Sequence, residues 1–307
     1  MNPLIGRGPW HRISLKFQDP QLESRFLSYA SNVWMNTEYW CAVFCLSMIG
    51  FKPWMFPTTF VLYPRKFWLL TASQGVFVAL FHVVLAKKRP ETFMKHRVLI
   101  SSCTRFVVTL VTTLLLSLDS PNGLPTDSAR ELILAIISRT SIMTCFLLAL
   151  GLRIPFRRDF LVQSICMVIA AWWIPGFCAQ CSANPSVQAM VDGIGSAMHE
   201  IMATLTILGL PIPRLTVEGD SSMCLIVGLF FHLWVGLFIP TLILYWFECT
   251  ARSAYLFSTS PSEETGSRIR SYKSDGLILL ALLCCYGTQG LWFGLNYVIP
   301  MALKYVS

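Results

Sequence analysis

Runs of about 20 consecutive apolar residues recur along this chain, and a run of that length has few ways to fold. Inside a hydrocarbon layer every backbone N–H and C=O must find its partner within the protein, which leaves only helices and closed β-barrels. Barrel strands alternate in polarity over about 10 residues. The runs here, such as 98–118, 160–181 and 223–247, are continuously apolar. The fold expected is therefore all-α, a polytopic transmembrane helix bundle.

Placed along the chain, the runs give about seven spans in one helical domain over 33–303: about 33–51, 67–86, 98–118, 132–152, 160–181, 223–247 and 277–301. A polar, basic segment, 1–32, precedes them. Within it Pro20 is placed to open a short interfacial helix with Leu22, Phe26 and Tyr29 on one face. Pro175-Gly176 and Pro240 are expected to kink the fifth and sixth spans. Thr250 to Ser274 reads as a polar loop, and Arg153 to Asp159 as a short charged one.

The segment 187–210 is ambiguous. It is long enough to cross, yet it holds Asp192, His199 and Glu200, and a carboxylate at mid-membrane costs a few kcal/mol. If it does not cross, sixteen basic residues lie on one side of the bilayer and six on the other; if it crosses, an eighth span, the split is fourteen to eight. The sharper asymmetry favours seven spans, with the N-terminus cytoplasmic and the C-terminus opposite.

Composition bears on the partner. The net charge of +8 would suggest nucleic acid in a soluble chain, but only 13% of residues are charged and the cations sit between apolar runs. Such cations set orientation and meet lipid headgroups, so nucleic acid is excluded. Lys87, Lys88, Arg89, Lys95 and Arg97 form the set expected to meet anionic headgroups.

Chemistry is sparse. Arg105 and Arg139 lie inside spans, where a cation faces either a partner or a water-filled cavity. Guanidinium matches phosphate or carboxylate bidentately, so the pair marks an anion- or headgroup-binding candidate. The alternative is neutralisation by carbonyls, which ties helices together. Asp192 and Glu200, with His199 on the same helical face as Asp192, are the expected counter-ions. His82, His232 and Gln289 are further mid-span polar groups, suited to interhelical hydrogen bonds. Gly290 and Gly294 form a GxxxG that permits close packing, within the chain or with a second copy. Cys178 and Cys181 could form a local disulfide. No cofactor or metal site is expected: His199-Glu200 lacks the second histidine of a zinc helix, with Ala203 in its place, and no phosphate-binding or nucleophile-elbow motif occurs.

The function expected from these features is transport or permeation of a small anionic or amphipathic solute. A membrane sensor, receptor or assembly scaffold without chemistry is the alternative. A membrane-embedded lipid-modifying enzyme, built on Asp192, His199 and Glu200, is a third.

Overall fold

The computed structural model describes residues 15–35, 73, 76–77, 80–82, 84–118, 128–204, 220–259 and 286–303, with the backbone alone at Leu118, Glu131, Leu134, Ser138, Arg139, Asp220 and Ser221. The described residues are 91% helical and include no strand. The expected first span beyond 35, most of the second, and 277–285 of the last lie outside the described residues, as do 205–210. The helices are α1 (Pro90–Leu118), α2 (Ala129–Arg139), α3 (Ile142–Gly151), α4 (Phe156–Ala171), α5 (Ile174–Ser182), α6 (Pro185–Thr204), α7 (Asp220–Leu233) and α8 (Ile239–Thr259), with a π-helical turn, Trp234–Phe238, between the last two. Residues 20–35 and 286–303 are also helical.

Three stretches are long and apolar enough to cross a membrane: Pro90–Ser117, Phe156–Ser182 and Ser222–Thr259. On the first of them the polarity is inverted relative to a water-soluble core. On α1 the side chains of Ser101, Arg105 and Thr109 are fully buried, while Leu99, Val107 and Leu114 are 63%, 59% and 52% exposed. Such an apolar outer face is unfavourable in water and favourable in lipid.

Each interruption of a long helix has a local cause. Pro175 has no N–H to give the carbonyl of Ala171 and its ring crowds that carbonyl, so α4 ends at Ala171 and α5 restarts at Ile174. Pro240 likewise cannot serve Gly236. The ladder widens by one residue, and the Ile239 N–H bonds the Trp234 carbonyl instead. The expected fourth span, 132–152, is not one helix. It breaks at Thr140–Ser141, where Ser141 adopts a left-handed backbone with φ 59°. The Thr140 hydroxyl bonds back to the Ile136 carbonyl at 2.6 Å, and the Ser141 hydroxyl meets that of Thr113 at 3.3 Å. These side-chain bonds offer the backbone an alternative to the helix.

α4–α5 and α7–α8 run antiparallel along their whole length. Glu248 faces the start of α4, accepting from the Phe156 N–H at 2.6 Å. Gln163 faces Gly236, Met167 faces His232, Ile174 faces Gly228, and Cys178 is bonded to Cys224. α3 is likewise antiparallel to α1, through Arg105 with Ala149, Thr109 with Cys145, and Thr113 with Ser141.

The interruptions divide the bundle. α2, α5, α6 and α7 pack chiefly on one another, and α1, α3, α4 and α8 do the same. One hydrophobic core, including Leu132, Ile174, Phe177, Val191 and Phe230, belongs to the first group. A separate one, including Cys145, Val162 and Met167, belongs to the second. The helix breaks lie where these two halves meet. The first half carries the Cys178–Cys224 bridge and the second carries Arg97, Arg153 and Arg252; we call these the disulfide end and the basic end.

Candidate functional site: a buried ionic network

Arg105 lies seven residues past Val98 on α1, roughly 10 Å along the helix. A helical side chain leans toward its own N-terminus, so the guanidinium runs back toward the basic end. It donates through Nη1 to Asp159 Oδ1 at 2.5 Å. Through Nη2 it donates to the carbonyls of Ala149, at 3.0 Å, and Leu152. Those carbonyls close α3, and Asp159 is in the first turn of α4. A cation at one helix C-terminus and an anion at the next N-terminus each complement a helix dipole, so the pair fixes the α3–α4 connection as well as itself.

One turn further on, Gln163 makes a second bridge. Its amide nitrogen donates to the Gly236 carbonyl at 2.6 Å and to the Cys145 carbonyl at 3.2 Å. Gly236 is the carbonyl that Pro240 left unserved, so the glutamine completes the π turn's hydrogen bonding. Nearby, the His232 ring meets the Met167 carbonyl at 2.8 Å, and Trp234 Nε1 donates to Thr288 at 2.9 Å.

A second ionic cluster lies at the basic end. Asp19 opens the N-terminal helix, accepting from the Gln21 N–H at 2.8 Å, and Pro20 follows at the first helical position. This helix buries Phe26, Ala30 and Trp34 against α8 residues Cys249 and Tyr255; it is docked on protein over that face. Arg252 grips Glu23 bidentately at 2.6 and 2.9 Å and Glu248 at 2.7 Å. Phe26 and Phe17 lie over its guanidinium at 4.2 and 4.9 Å. Burial alone would raise the Glu23 carboxyl, but its bonds from Arg252 and from the Phe17 N–H hold it below its ordinary value. Arg97 is buried here too, donating to the Arg153 carbonyl at 2.7 Å with its guanidinium 5.3 Å from the Trp34 ring. It is not available to headgroups as the sequence suggested, whereas Lys88, Arg89 and Lys95 are exposed.

Several expectations are corrected. The counter-ion of Arg105 is Asp159, not Asp192 or Glu200. Asp192 instead accepts from Gln188 at 3.0 Å, Glu200 is exposed, and the His199 ring stands edge-on to Phe293 at 6.3 Å. Cys178 is bridged to Cys224, not to Cys181, which is buried in the same core. α8 continues helical through Thr259, so the residues from Thr250 to there are not loop, and Phe156 to Asp159 open a helix. His82 is buried against Phe81 and Phe93. Gln289 is partly buried, one place beyond Thr288. The Arg139 side chain lies outside the described residues. A side chain at Gly290 or Gly294 would meet no described atom within 4 Å.

Asp159, Gln163, Glu23, Glu248 and Arg252 escaped the sequence reading. The signal present was their spacing, since 159 with 163 and 248 with 252 are each four apart and share a helical face. Among the described residues no group of three or more metal-ligating side chains occurs.

The fold and site together have the characters of a helical integral membrane protein: all-helical, ions inside, hydrocarbon outside, and three helices long enough to cross. Comparison with protein-family models, curated proteins and solved structures gives no match for this chain.

Proposed function

We propose that the chain crosses its membrane seven times with the basic end cytoplasmic, and that it carries or admits a small amphipathic or anionic solute. The observation that carries the transport reading is the meeting of three interrupted helices between two separately packed half-bundles. Ser141, Met167 and Gly236 lie at one level, since Met167 and Ile142 both border Gly236, and the Trp172–Trp173 break is about 8 Å further out. Interrupted helices supply the joints about which one half of a carrier moves against the other.

Two independent features support the orientation. Four basic segments that the charge rule assigns to one side meet there through Glu23, Arg97, Arg153 and Arg252. The disulfide sits at the opposite end, where an oxidising, non-cytoplasmic space would maintain it. Because Cys178 faces Cys224, the chain between them leaves and returns at one end, which supports seven spans over eight. Arg105 is already engaged by Asp159 and two carbonyls, which favours an amphipathic solute over a compact anion.

The scaffold reading keeps one observation of its own, the neutralisation of Arg105 within the bundle. The enzyme reading loses its motive, because Asp192, His199 and Glu200 do not converge. Reconstitution into phosphatidylcholine vesicles separates the first two. A panel of small carboxylates and amphipathic solutes should show flux above protein-free vesicles. Gly236→Leu, which forces a side chain against Met167 and Ile142, should lose that flux while remaining monodisperse. No flux for any solute, together with a stoichiometric co-purifying protein, would establish the scaffold instead.

A further inference from the structure

The Gln163 amide has only one workable orientation. Its nitrogen lies within hydrogen-bonding distance of two carbonyl oxygens, so turning the amide over would set oxygen against oxygen. Its Oε1 is therefore a fixed acceptor, buried, with no donor. Four residues earlier on the same helix face, Asp159 spends Oδ1 on Arg105 and leaves Oδ2 buried and without a donor. Two acceptors sharing one face one turn apart cannot satisfy each other. A buried acceptor left without a donor keeps the full cost of its desolvation. One proton placed on Oδ2 would turn the carboxylate into a donor, with Gln163 Oε1 the unpartnered acceptor one turn along the same face.

We propose that Asp159 is a proton-binding site, the bound proton residing on Oδ2 and donated to Gln163 Oε1. A proton taken from water converts the carboxylate to the acid, and no other bond changes. Arg105 keeps its charge and its contacts with Oδ1 and with the carbonyls of Ala149 and Leu152, at the negative end of the α3 dipole. The titratable groups that touch α4 from the elements packed on it include Arg105 on α1, Cys145 on α3, His232 on α7, and Tyr245 and Glu248 on α8, with Cys166 on α4 itself. Among them Arg105 alone hydrogen-bonds Asp159.

The site adjoins the joint between the half-bundles. Gln163, which would receive the proton through its oxygen, holds the Gly236 carbonyl of the π turn through its nitrogen. Proton occupancy therefore bears directly on the residue that ties α4 to the interrupted helix. If the transport reading holds, the proton is the coupling ion; the site itself does not depend on that reading.

Infrared spectroscopy reads the proton without any solute. The full chain in phosphatidylcholine vesicles should show a carboxylic-acid C=O stretch that titrates within the range where the protein stays monodisperse and shifts to lower wavenumber in D2O. Asp159→Asn, which keeps an acceptor for Arg105 and gains a donor for Gln163, should fold and lack that band. Gln163→Met should keep the band at higher wavenumber, its acceptor gone. A wild-type spectrum with no band that Asp159→Asn removes overturns the proposal, leaving a bridging water as the donor. A band unmoved in Gln163→Met overturns the assignment of its acceptor. A band without flux in any vesicle assay would leave the proton site standing and end the transport reading; flux without a band would do the reverse.

Discussion

Replacing Arg252 by alanine should release the N-terminal helix while leaving the rest of the bundle intact. The guanidinium makes four bonds of 2.6 to 3.0 Å to Glu23 and Glu248, and its removal strands two carboxylates beside one another. Breaking a buried pair from one side costs about 3–5 kcal/mol. Glu23 is the more exposed partner, so Glu23→Gln removes mainly the charge-assisted part of the bond, about 1.5–3 kcal/mol. At 1.4 kcal/mol per decade, the amides of residues 20–35 should exchange with deuterium roughly 10² to 4 × 10³ times faster in Arg252→Ala and about 10 to 10² times faster in Glu23→Gln. Exchange in α1 and α4 should not change. Because Glu23 is held below its ordinary value when docked, its contribution is present at pH above that ordinary value and disappears as pH falls through the docked one. Acid below that docked value should therefore make the wild type exchange like Glu23→Gln. Equal acceleration in α4, or none anywhere in Arg252→Ala, would refute the idea that this cluster holds the helix locally.

Three further outcomes follow from other parts of the bundle. Arg105→Leu should cost about 3–5 kcal/mol against thermal unfolding in detergent, and adding Asp159→Leu should restore much of it, since the double variant buries no unpaired charge; a double variant worse than either single one would contradict the pairing. Cys224→Ser should free Cys178 to react with a maleimide when the chain is denatured without reductant, whereas Cys181→Ser should not. Trp172, which is 84% exposed, should be quenched by bromine on lipid acyl chains and not by aqueous iodide, with Trp172→Phe removing that component; the opposite pattern would place this face in water.

The parts of the fold legible in the sequence were those set by hydrocarbon solubility. The apolar runs at 98–118, 160–181 and 223–247 all fall within long apolar helices, and Pro175 and Pro240 mark two of the three interruptions because a missing N–H is written in the residue itself. The third was not legible. Thr140 and Ser141 are ordinary in a span, and the left-handed Ser141 meets Thr113, twenty-eight residues away, a contact that local sequence does not reveal. The end of α8 was hidden for a different reason. Its polarity resembles a loop until the N-terminal helix is placed on it, when Cys249, Arg252 and Tyr255 become one buried face. The counter-ion of Arg105 was not legible because Asp159 stands at the start of a helix, outside the apolar runs. The side chain covers several ångströms toward its own N-terminus, which puts Asp159 within reach.

The matched register of the two interrupted helical stretches, α4–α5 and α7–α8, also limits how this chain can change in length. Between Phe156 and Cys178 on one side, and Cys224 and Glu248 on the other, contacts are anchored at both ends. Inserting one residue in regular helix would rotate everything beyond it by about 100° and advance it about 1.5 Å, which one or other anchor would have to give up. The π turn is itself the accommodated form of such an insertion. Single-residue insertions and deletions should therefore be tolerated at Trp234–Phe238 and at Trp172–Trp173, and rejected in the helical stretches on either side.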